Sequence, residues 1–192
     1  MRKLFDDLRL MAVLLGVLWV ILLFDLTIDH GALFLDGIVP RTTRGLIGIP
    51  LAPLLHAGIP HLLANSGPFF VLGMLVLQQG RPVFVKASLF IIFVGGLATW
   101  CIGPAGTVHG GASSLIFGWF GFLVASAWRV PLLSTVLAAL VAISWYGVGV
   151  IFGLSPLQTH VSWQGHLTGL LAGGIAAYVL PLAPPRRARR RS

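Results

Sequence analysis

Long apolar stretches separated by short polar breaks make up most of this sequence. A helix that crosses a bilayer needs about 20 mostly apolar residues. The chain contains six stretches of that kind, at 10–28, 60–79, 83–102, 112–128, 132–152 and 162–180. Segments with glycine or proline, which interrupt helices, lie between the later stretches, at 80–82, 103–106, 129–131 and 153–156. The pattern predicts one all-α polytopic membrane domain, 1–192, with six transmembrane helices.

The basic residues predict the orientation of these spans. Lysine and arginine are retained in short cytoplasmic loops. If the six spans alternate, one side of the membrane receives the first nine residues, the connections after the second and fourth spans and the arginine-rich end of the chain. Only Arg41 and Arg44 lie on the other side. We therefore predict cytoplasmic N and C termini, with a short N-terminal segment 1–9 and a basic tail 183–192.

Composition agrees with a membrane protein and limits its partners. Hydrophobic residues make up 57% of the chain and charged residues 9%, and the formal net charge is +8. Most of the positive charge directly follows the last span, where membrane lipid is a sufficient partner, and no basic patch is interleaved with aromatic residues as in nucleic-acid sites. The start resembles a signal peptide but lacks a small-residue cleavage site. We expect a multi-pass protein of the bacterial cytoplasmic membrane that binds no nucleic acid.

The acidic residues and the single cysteine exclude several chemistries. The chain has no glutamate, which the helical zinc-protease motif requires between two histidines. Asp25 and Asp29 lie at the end of one span, whereas an aspartyl protease needs two facing carboxylates. Cys101 alone can form neither an internal disulfide nor a cysteine metal cluster. We predict neither a metal site nor a cofactor.

Polar residues are concentrated near the outer ends of the spans. Such residues are costly within a membrane and often mark function. His61, Ser113 and His166 fall within the first turn or two of the second, fourth and sixth spans, which all begin at the outer face. Taken singly, the serine could bond its own backbone and each histidine could be an interfacial residue. Taken together, they bring three polar side chains to one depth.

This set has the composition of a nucleophilic site. Histidine, whose pKa lies near neutrality, is the usual base for a serine nucleophile, so Ser113 and His166 could form a dyad. Without a nearby carboxylate, the imidazole would be oriented by packing or by a backbone acceptor. His61 and Asn65 share one face of the second span and can donate to an oxyanion. Backbone N–H groups from Gly111 onward, at the start of the fourth span, could also donate.

Small residues allow the helices that carry these groups to approach closely. The sixth span has glycines at four-residue spacing, and the fourth has a serine and a glycine with the same spacing. The residues predicted to support the site by packing are Gly118, Gly165, Gly169 and Gly173.

The chain resembles the rhomboid intramembrane serine proteases over nearly its whole length. Three motifs carry the resemblance: Gly111-Ala112-Ser113-Ser114, the run from Gly165-His166 to Gly173, and the set His56, His61 and Asn65. The resemblance implies a six-helix core in which Ser113 is the nucleophile and His166 the general base and then acid. It implies His61 and Asn65 as oxyanion donors, single-pass membrane proteins as substrates, entry beside the fifth span and no cofactor.

The chain also departs from the family pattern. Ser114 stands where the family commonly has glycine, and we favour Ser113 as the reacting serine because the glycine two residues before it frees the backbone. Phe117 replaces an aromatic residue that is often tyrosine, so ring packing against His166 could persist without a hydroxyl bond. Arg41 and Arg44 remain in the first outer loop without the tryptophan-arginine pair of many members. Interfacial positions are predicted for His109 and His160.

Two alternatives belong to other functional classes. A catalytically inactive rhomboid-like protein would bind membrane helices, but it would typically lack the serine or the histidine. A small transporter or channel with a histidine-lined vestibule would often show repeated halves and an ionisable residue at mid-membrane, and neither is present in the spans. Labelling by a serine-reactive fluorophosphonate distinguishes a serine protease from the first alternative. Ion flux through liposomes distinguishes it from the second.

Overall fold

The computed structural model describes residues 1–158 and 161–181, so the predicted basic tail 183–192 and His160 lie outside the described residues. Within them the chain forms helices, as predicted. These are α1 (Arg2–Thr27), α2 (Thr43–Leu51), α3 (Ile59–Leu77), α4 (Arg81–Phe90), α5 (Gly96–Ile102), α6 (Ser113–Arg129), α7 (Leu133–Gly153) and α8 (Trp163–Val179). A single π-helical turn, Ile91–Gly95, joins α4 to α5.

Most boundaries agree with the sequence prediction to within two residues, and the first span is the exception. The segment 1–9 is not separate, because α1 begins at Arg2 and has 26 residues. No glycine-proline break interrupts the chain between this segment and the apolar stretch, so the helix continues through it. The side chain of Asp7 is buried in this part of α1 and pairs with Arg81, whose Nε lies 2.9 Å from Asp7 Oδ1.

In the described part of the chain, four helical segments are long and apolar enough to cross a membrane: Arg2–Thr27, Ile59–Leu77, Arg81–Ile102 and Leu133–Gly153. The third of these comprises α4, the π turn and α5. Helices α6 and α8 have 17 residues each, at the lower limit of what spans a hydrocarbon core. The chain is therefore a multi-pass helical membrane protein, and the count of six spans remains a prediction.

The loop between α1 and α3 contains a helix, α2, that the apolar pattern did not predict. Thr42 caps α2 by accepting a hydrogen bond from the Gly45 N–H at 3.0 Å. Arg41 donates to the carbonyls of Cys101 (2.9 Å) and Gly103 (2.8 Å), just after α5. The indole of Trp100 donates to the Thr42 carbonyl at 2.8 Å. The loop is therefore attached to the end of α5 through Arg41, one of the two arginines singled out in the sequence.

Helices α6 and α8 form the most extensive helix pair in the described residues. A Cβ added at Gly169 would lie 2.1 Å from the Ser114 carbonyl oxygen, and one added at Gly173 would lie 1.8 Å from that of Gly118. These glycines therefore bring the two backbones into direct contact, as predicted. Gly165 differs, because the nearest atom to an added Cβ is Ser162 Oγ, within the first turn of α8 itself.

Candidate active site

Ser113 is the first residue of α6, and the glycine before it shapes the approach to the helix. Gly111 has φ +119°, a conformation that favours glycine. A Cβ at this position would also lie 2.8 Å from His61 Nε2 and 2.7 Å from the neighbouring ring carbon. Glycine is therefore required both by the backbone turn and by the close approach of the His61 ring. The turn places α6 so that its first residue borders α3.

His166 lies in the first turns of α8 and is held by the end of α7. Its Nδ1 is 2.7 Å from the carbonyl oxygen of Gly153, the last residue of α7. A carbonyl only accepts, so Nδ1 carries the proton and Nε2 of the neutral ring keeps a lone pair. Gly153 O is available because the last carbonyls of a helix have no intrahelical partner. This is the backbone acceptor anticipated in place of a third carboxylate.

Aromatic packing also fixes the orientation of the His166 imidazole. The rings of Phe117 and His166 are stacked, with centroids 4.1 Å apart and planes 11° from parallel. A Cβ at Gly153 would lie 2.5 Å from the Phe117 ring and 3.1 Å from His166 Nδ1. The predicted packing of Phe117 against His166 is therefore present, and it leaves no room for a side chain at Gly153.

One cavity brings the three predicted polar side chains together. Ser113, His61 and His166 all line a cavity of about 90 Å³. Its remaining walls come from the loop between α1 and α3 and from the segments before α6 and α8: Phe34, Ala57, Val108, His109, Gly110, Val161 and Ser162. No hydrogen bond joins Ser113 Oγ to His166 in the described part of the chain. The volume is large enough for water and for part of a bound peptide group.

Two side-chain donors face the segment before Ser113. Asn65 Nδ2 is buried and has no hydrogen-bond partner in the described residues, which is costly for an amide. Asn65 Nδ2 lies 3.7 Å from the position that a Cβ of Gly111 would occupy. His61 Nε2 lies 2.8 Å from the same position. A buried donor without a partner beside a cavity is suited to an oxyanion that is present only when substrate is bound.

The prediction that the Gly111 N–H is a free donor for an oxyanion is wrong. The N–H of Gly111 already donates to the Ala52 carbonyl at 2.8 Å, so it is engaged in holding the loop. The N–H of Ala112 donates to His56 Nε2 at 3.1 Å. The first four N–H groups of an α-helix lack intrahelical partners. Of the three N–H groups from Gly111 to Ser113, that of Ser113 alone has no acceptor among the described residues.

The neighbouring hydroxyl of Ser114 has a different environment. A Cβ at Gly169 would lie 2.9 Å from Ser114 Oγ, which places that oxygen against α8. Ser114 does not line the 90 Å³ cavity that contains Ser113 and His166. Ser113 therefore faces this cavity, whereas the hydroxyl of Ser114 packs against α8.

His56 has a structural position that the sequence did not assign. It is 2% exposed, and its Nε2 accepts the hydrogen bond from Ala112 described above. Burial, together with the nearby His61, lowers the pKa of His56 to about 4. The two rings meet edge to face, with centroids 5.1 Å apart. His56 is therefore neutral at ordinary pH and holds the residue directly before Ser113.

His109, expected to be an interfacial residue, is buried beside the site. Its Nδ1 lies 2.6 Å from Ser162 Oγ, the hydroxyl that caps α8, and its Nε2 lies 2.9 Å from Thr107 Oγ1. Its backbone pairs with Ile38, in the loop between α1 and α3, through two hydrogen bonds of 2.9 Å. Burial lowers the pKa of His109. The residue joins three segments around the cavity, which its surroundings in the sequence did not reveal.

These features together define a helical membrane protein in which a serine and two histidines line one cavity, with a buried amide donor close to one of the histidines. Comparison with known families identifies the class, because the Rhomboid domain matches residues 43–182. The chain therefore belongs to the rhomboid family.

Three relatives show how far the similarity extends. Rv1337, an uncharacterized protein of Mycobacterium tuberculosis, is 43% identical over 182 residues, which cover 91% of this chain and 75% of the relative. YdcA of Bacillus subtilis, named as a candidate rhomboid protease, is 31% identical over 138 residues, covering 70% and 67% respectively. Rhomboid-like protein 11 of Arabidopsis thaliana, described as chloroplastic, is 30% identical over 146 residues, covering 69% and 52%.

Proposed function

We propose that this rhomboid-family protein is an intramembrane serine endopeptidase that cleaves the membrane segments of single-pass proteins. The observation that carries the proposal is the state of His166, whose Nδ1–H is committed to Gly153 O. The lone pair on Nε2 is therefore available to a hydroxyl, and Ser113 lines the same cavity. Serine needs such a base to act as a nucleophile.

In the proposed reaction, Ser113 Oγ attacks the carbonyl carbon of the scissile peptide bond while His166 Nε2 takes the hydroxyl proton. The negative oxygen of the tetrahedral intermediate is stabilised by His61, by Asn65 Nδ2 and by the backbone N–H of Ser113. His166 then gives its proton to the leaving amine as the C–N bond breaks. A water molecule from the cavity then attacks the carbonyl carbon of the acyl-enzyme while His166 Nε2 takes its proton. His166 returns a proton to Ser113 Oγ as the ester bond breaks, and no cofactor takes part.

The proposal includes six membrane spans with both termini in the cytoplasm of a bacterial cell. Helices α6 and α8 supply the two further crossings, and the site then lies near the outer face at the beginning of both. Substrate enters beside α7. Added Cβ atoms at Gly149 would meet nothing within 4 Å, and the one at Gly147 would meet only Ile143 of the same helix. These two glycines of α7 therefore face open space and are not packed against another helix.

The test is cleavage of a single-span substrate by purified, reconstituted protein. Ser113→Ala and His166→Ala are expected to abolish cleavage, whereas the matched control Ser114→Ala retains it because that hydroxyl packs against α8. Wild type and Ser114→Ala should also be labelled by a fluorophosphonate, and Ser113→Ala should not. Unchanged cleavage by Ser113→Ala would overturn the nucleophile. Wild type that binds the membrane helix without cleaving or labelling would instead identify an inactive helix-binding member.

A further inference from the structure

A second surface feature lies between α1 and α4. An apolar groove of about 250 Å³ is bordered by α1 at Leu14, Val17 and Leu18. The facing wall belongs to α4 and the π turn, and the floor to α3 and α6. These further lining residues are Phe69, Phe84, Val85, Ser88, Leu89, Ile92, Leu115 and Trp119. The groove is separate from the cavity that contains Ser113.

A polar depression continues this groove toward the N-terminal end of α1. It has a volume of about 430 Å³ and is lined by Asp6, Arg9, Leu10, Val13 and Arg81. Residues 10, 13, 14, 17 and 18 lie on one face of α1, and 81, 85, 88 and 92 lie on one face of the facing segment. The two features therefore follow the same pair of helix faces, one helical turn apart.

The charges of the depression suit a zwitterionic headgroup. Arg81 uses its Nε for the buried carboxylate of Asp7, so its two terminal NH₂ groups are left as donors. Asp6 and Arg9 are exposed and form no ion pair in the described part of the chain. Arginine guanidinium groups bind phosphate well, and the Asp6 carboxylate can accept from an ammonium group. A phosphate and a primary amine would therefore both find partners.

The dimensions suit one lipid leaflet. From Arg9 to Leu18 is nine residues, or about 14 Å along the helix, close to half of a hydrocarbon core of about 30 Å. Pro50, Pro53 and Leu54, from the outer loop, line the groove beyond this length. A membrane-spanning helix, about 10 Å across and twice as long, does not fit this space. The indole N–H of Trp119 is satisfied by Ser88 Oγ at 2.9 Å, which leaves the wall apolar.

We propose that this groove and depression bind one phospholipid with a primary-amine headgroup. Its phosphate contacts Arg9 and Arg81, its ammonium contacts Asp6, and one acyl chain lies along Val17. The lipid comes from the leaflet at the N-terminal end of α1, the cytoplasmic leaflet in the proposed orientation. The inference depends on membrane insertion and not on proteolysis, so it survives if the protein proves to be inactive.

Native mass spectrometry of the full chain in detergent tests the site, with phosphatidylethanolamine, phosphatidylglycerol or phosphatidylcholine added stepwise. Wild type is expected to retain one phosphatidylethanolamine at a severalfold lower concentration than the other two lipids. Val17→Trp and Val85→Trp, one on each wall, should lose this bound lipid. The matched control Leu137→Trp, equally exposed on α7 but outside the groove, should keep it.

The headgroup contacts are tested separately with exposed residues. Asp6→Asn should remove the preference for phosphatidylethanolamine over phosphatidylglycerol, and Arg9→Gln should weaken binding of both severalfold. Retention by Val17→Trp and Val85→Trp as in wild type, or equal loss in Leu137→Trp, would overturn the site. Equal binding of the three lipids by wild type would overturn the headgroup assignment. A dimer that dissociates in Val17→Trp would show that a second copy, and not a lipid, occupies the groove.

Discussion

At the scale of the residue, His166 has its tautomer and orientation set without a carboxylate. A helix-terminal carbonyl holds Nδ1 and an aromatic ring covers the face of the imidazole. A carbonyl cannot become charged, so it fixes the position of the proton but stabilises an imidazolium less than an aspartate would. His56 also positions the site through a single hydrogen bond, because its Nε2 accepts from the N–H of Ala112, the residue before Ser113.

His56 gives a prediction about acid stability. Its pKa of about 4 in the folded protein lies below the ordinary value of 6.5, so the unfolded chain binds the proton more readily between these values. Stability supplied by neutral His56 is complete above about pH 6.5, is lost as the pH falls to about 4 and changes no further below it. The loss amounts to about 3 kcal/mol.

His56→Gln, whose amide oxygen can still accept from Ala112, should therefore lose less stability than wild type over this range. The measurement is the free energy of unfolding in mixed detergent between pH 7 and pH 4, with intact secondary structure at pH 7 as the control. His109, whose pKa is also lowered, remains in both proteins and contributes equally. Identical pH profiles for the two proteins would contradict the role assigned to His56.

At the scale of the element, the position of each active group depends on a contact between helices. Gly169 and Gly173 set the distance from α6 to α8 and thereby the distance from Ser113 to His166. The carbonyl that orients His166 belongs to α7. A displacement of α7 during substrate entry would therefore also change the hydrogen bond of the proposed base.

Gly173 and Gly174 form a matched pair for testing the α6–α8 contact. A Cβ at Gly173 would lie 1.8 Å from the Gly118 carbonyl oxygen, a backbone atom that cannot move aside alone, whereas one at Gly174 would meet nothing within 4 Å. Gly173→Ala should lower the free energy of unfolding by about 1–3 kcal/mol. Gly174→Ala should leave it unchanged or raise it by up to about 1 kcal/mol. Similar unfolding free energies for the two variants would contradict this packing.

At the scale of the whole molecule, the proposed orientation makes a labelling prediction. In a Cys101→Ser background, Ala105→Cys lies in the connection before α6 and Gln78→Cys lies just after α3, both exposed. A membrane-impermeant maleimide should label the cysteine at 105 in intact cells and the one at 78 only after permeabilisation. Labelling at 78 in intact cells, with none at 105, would reverse the orientation and place the site at the cytoplasmic face.

The helices and the candidate polar residues could be predicted from the amino-acid sequence alone. Apolar stretches of spanning length and glycine-proline breaks are local features, so five of the six predicted spans agree with the helices to within two residues. The serine, the histidine pair and the asparagine could be singled out because polar groups are rare in such stretches. Helix α2 was missed because it is short and lies in a loop.

The atoms that these residues contact follow from the packing of the helices and could not be predicted from the sequence. Hydrogen bonds between segments far apart in the chain commit the Gly111 N–H to Ala52, bury His109 against Ser162 and place Gly153 O on His166. Such contacts depend on how helices are arranged in space, and the spacing of residues along one helix does not encode them. The lipid groove has the same origin, because its walls come from faces of α1 and α4 that are apolar for any membrane helix.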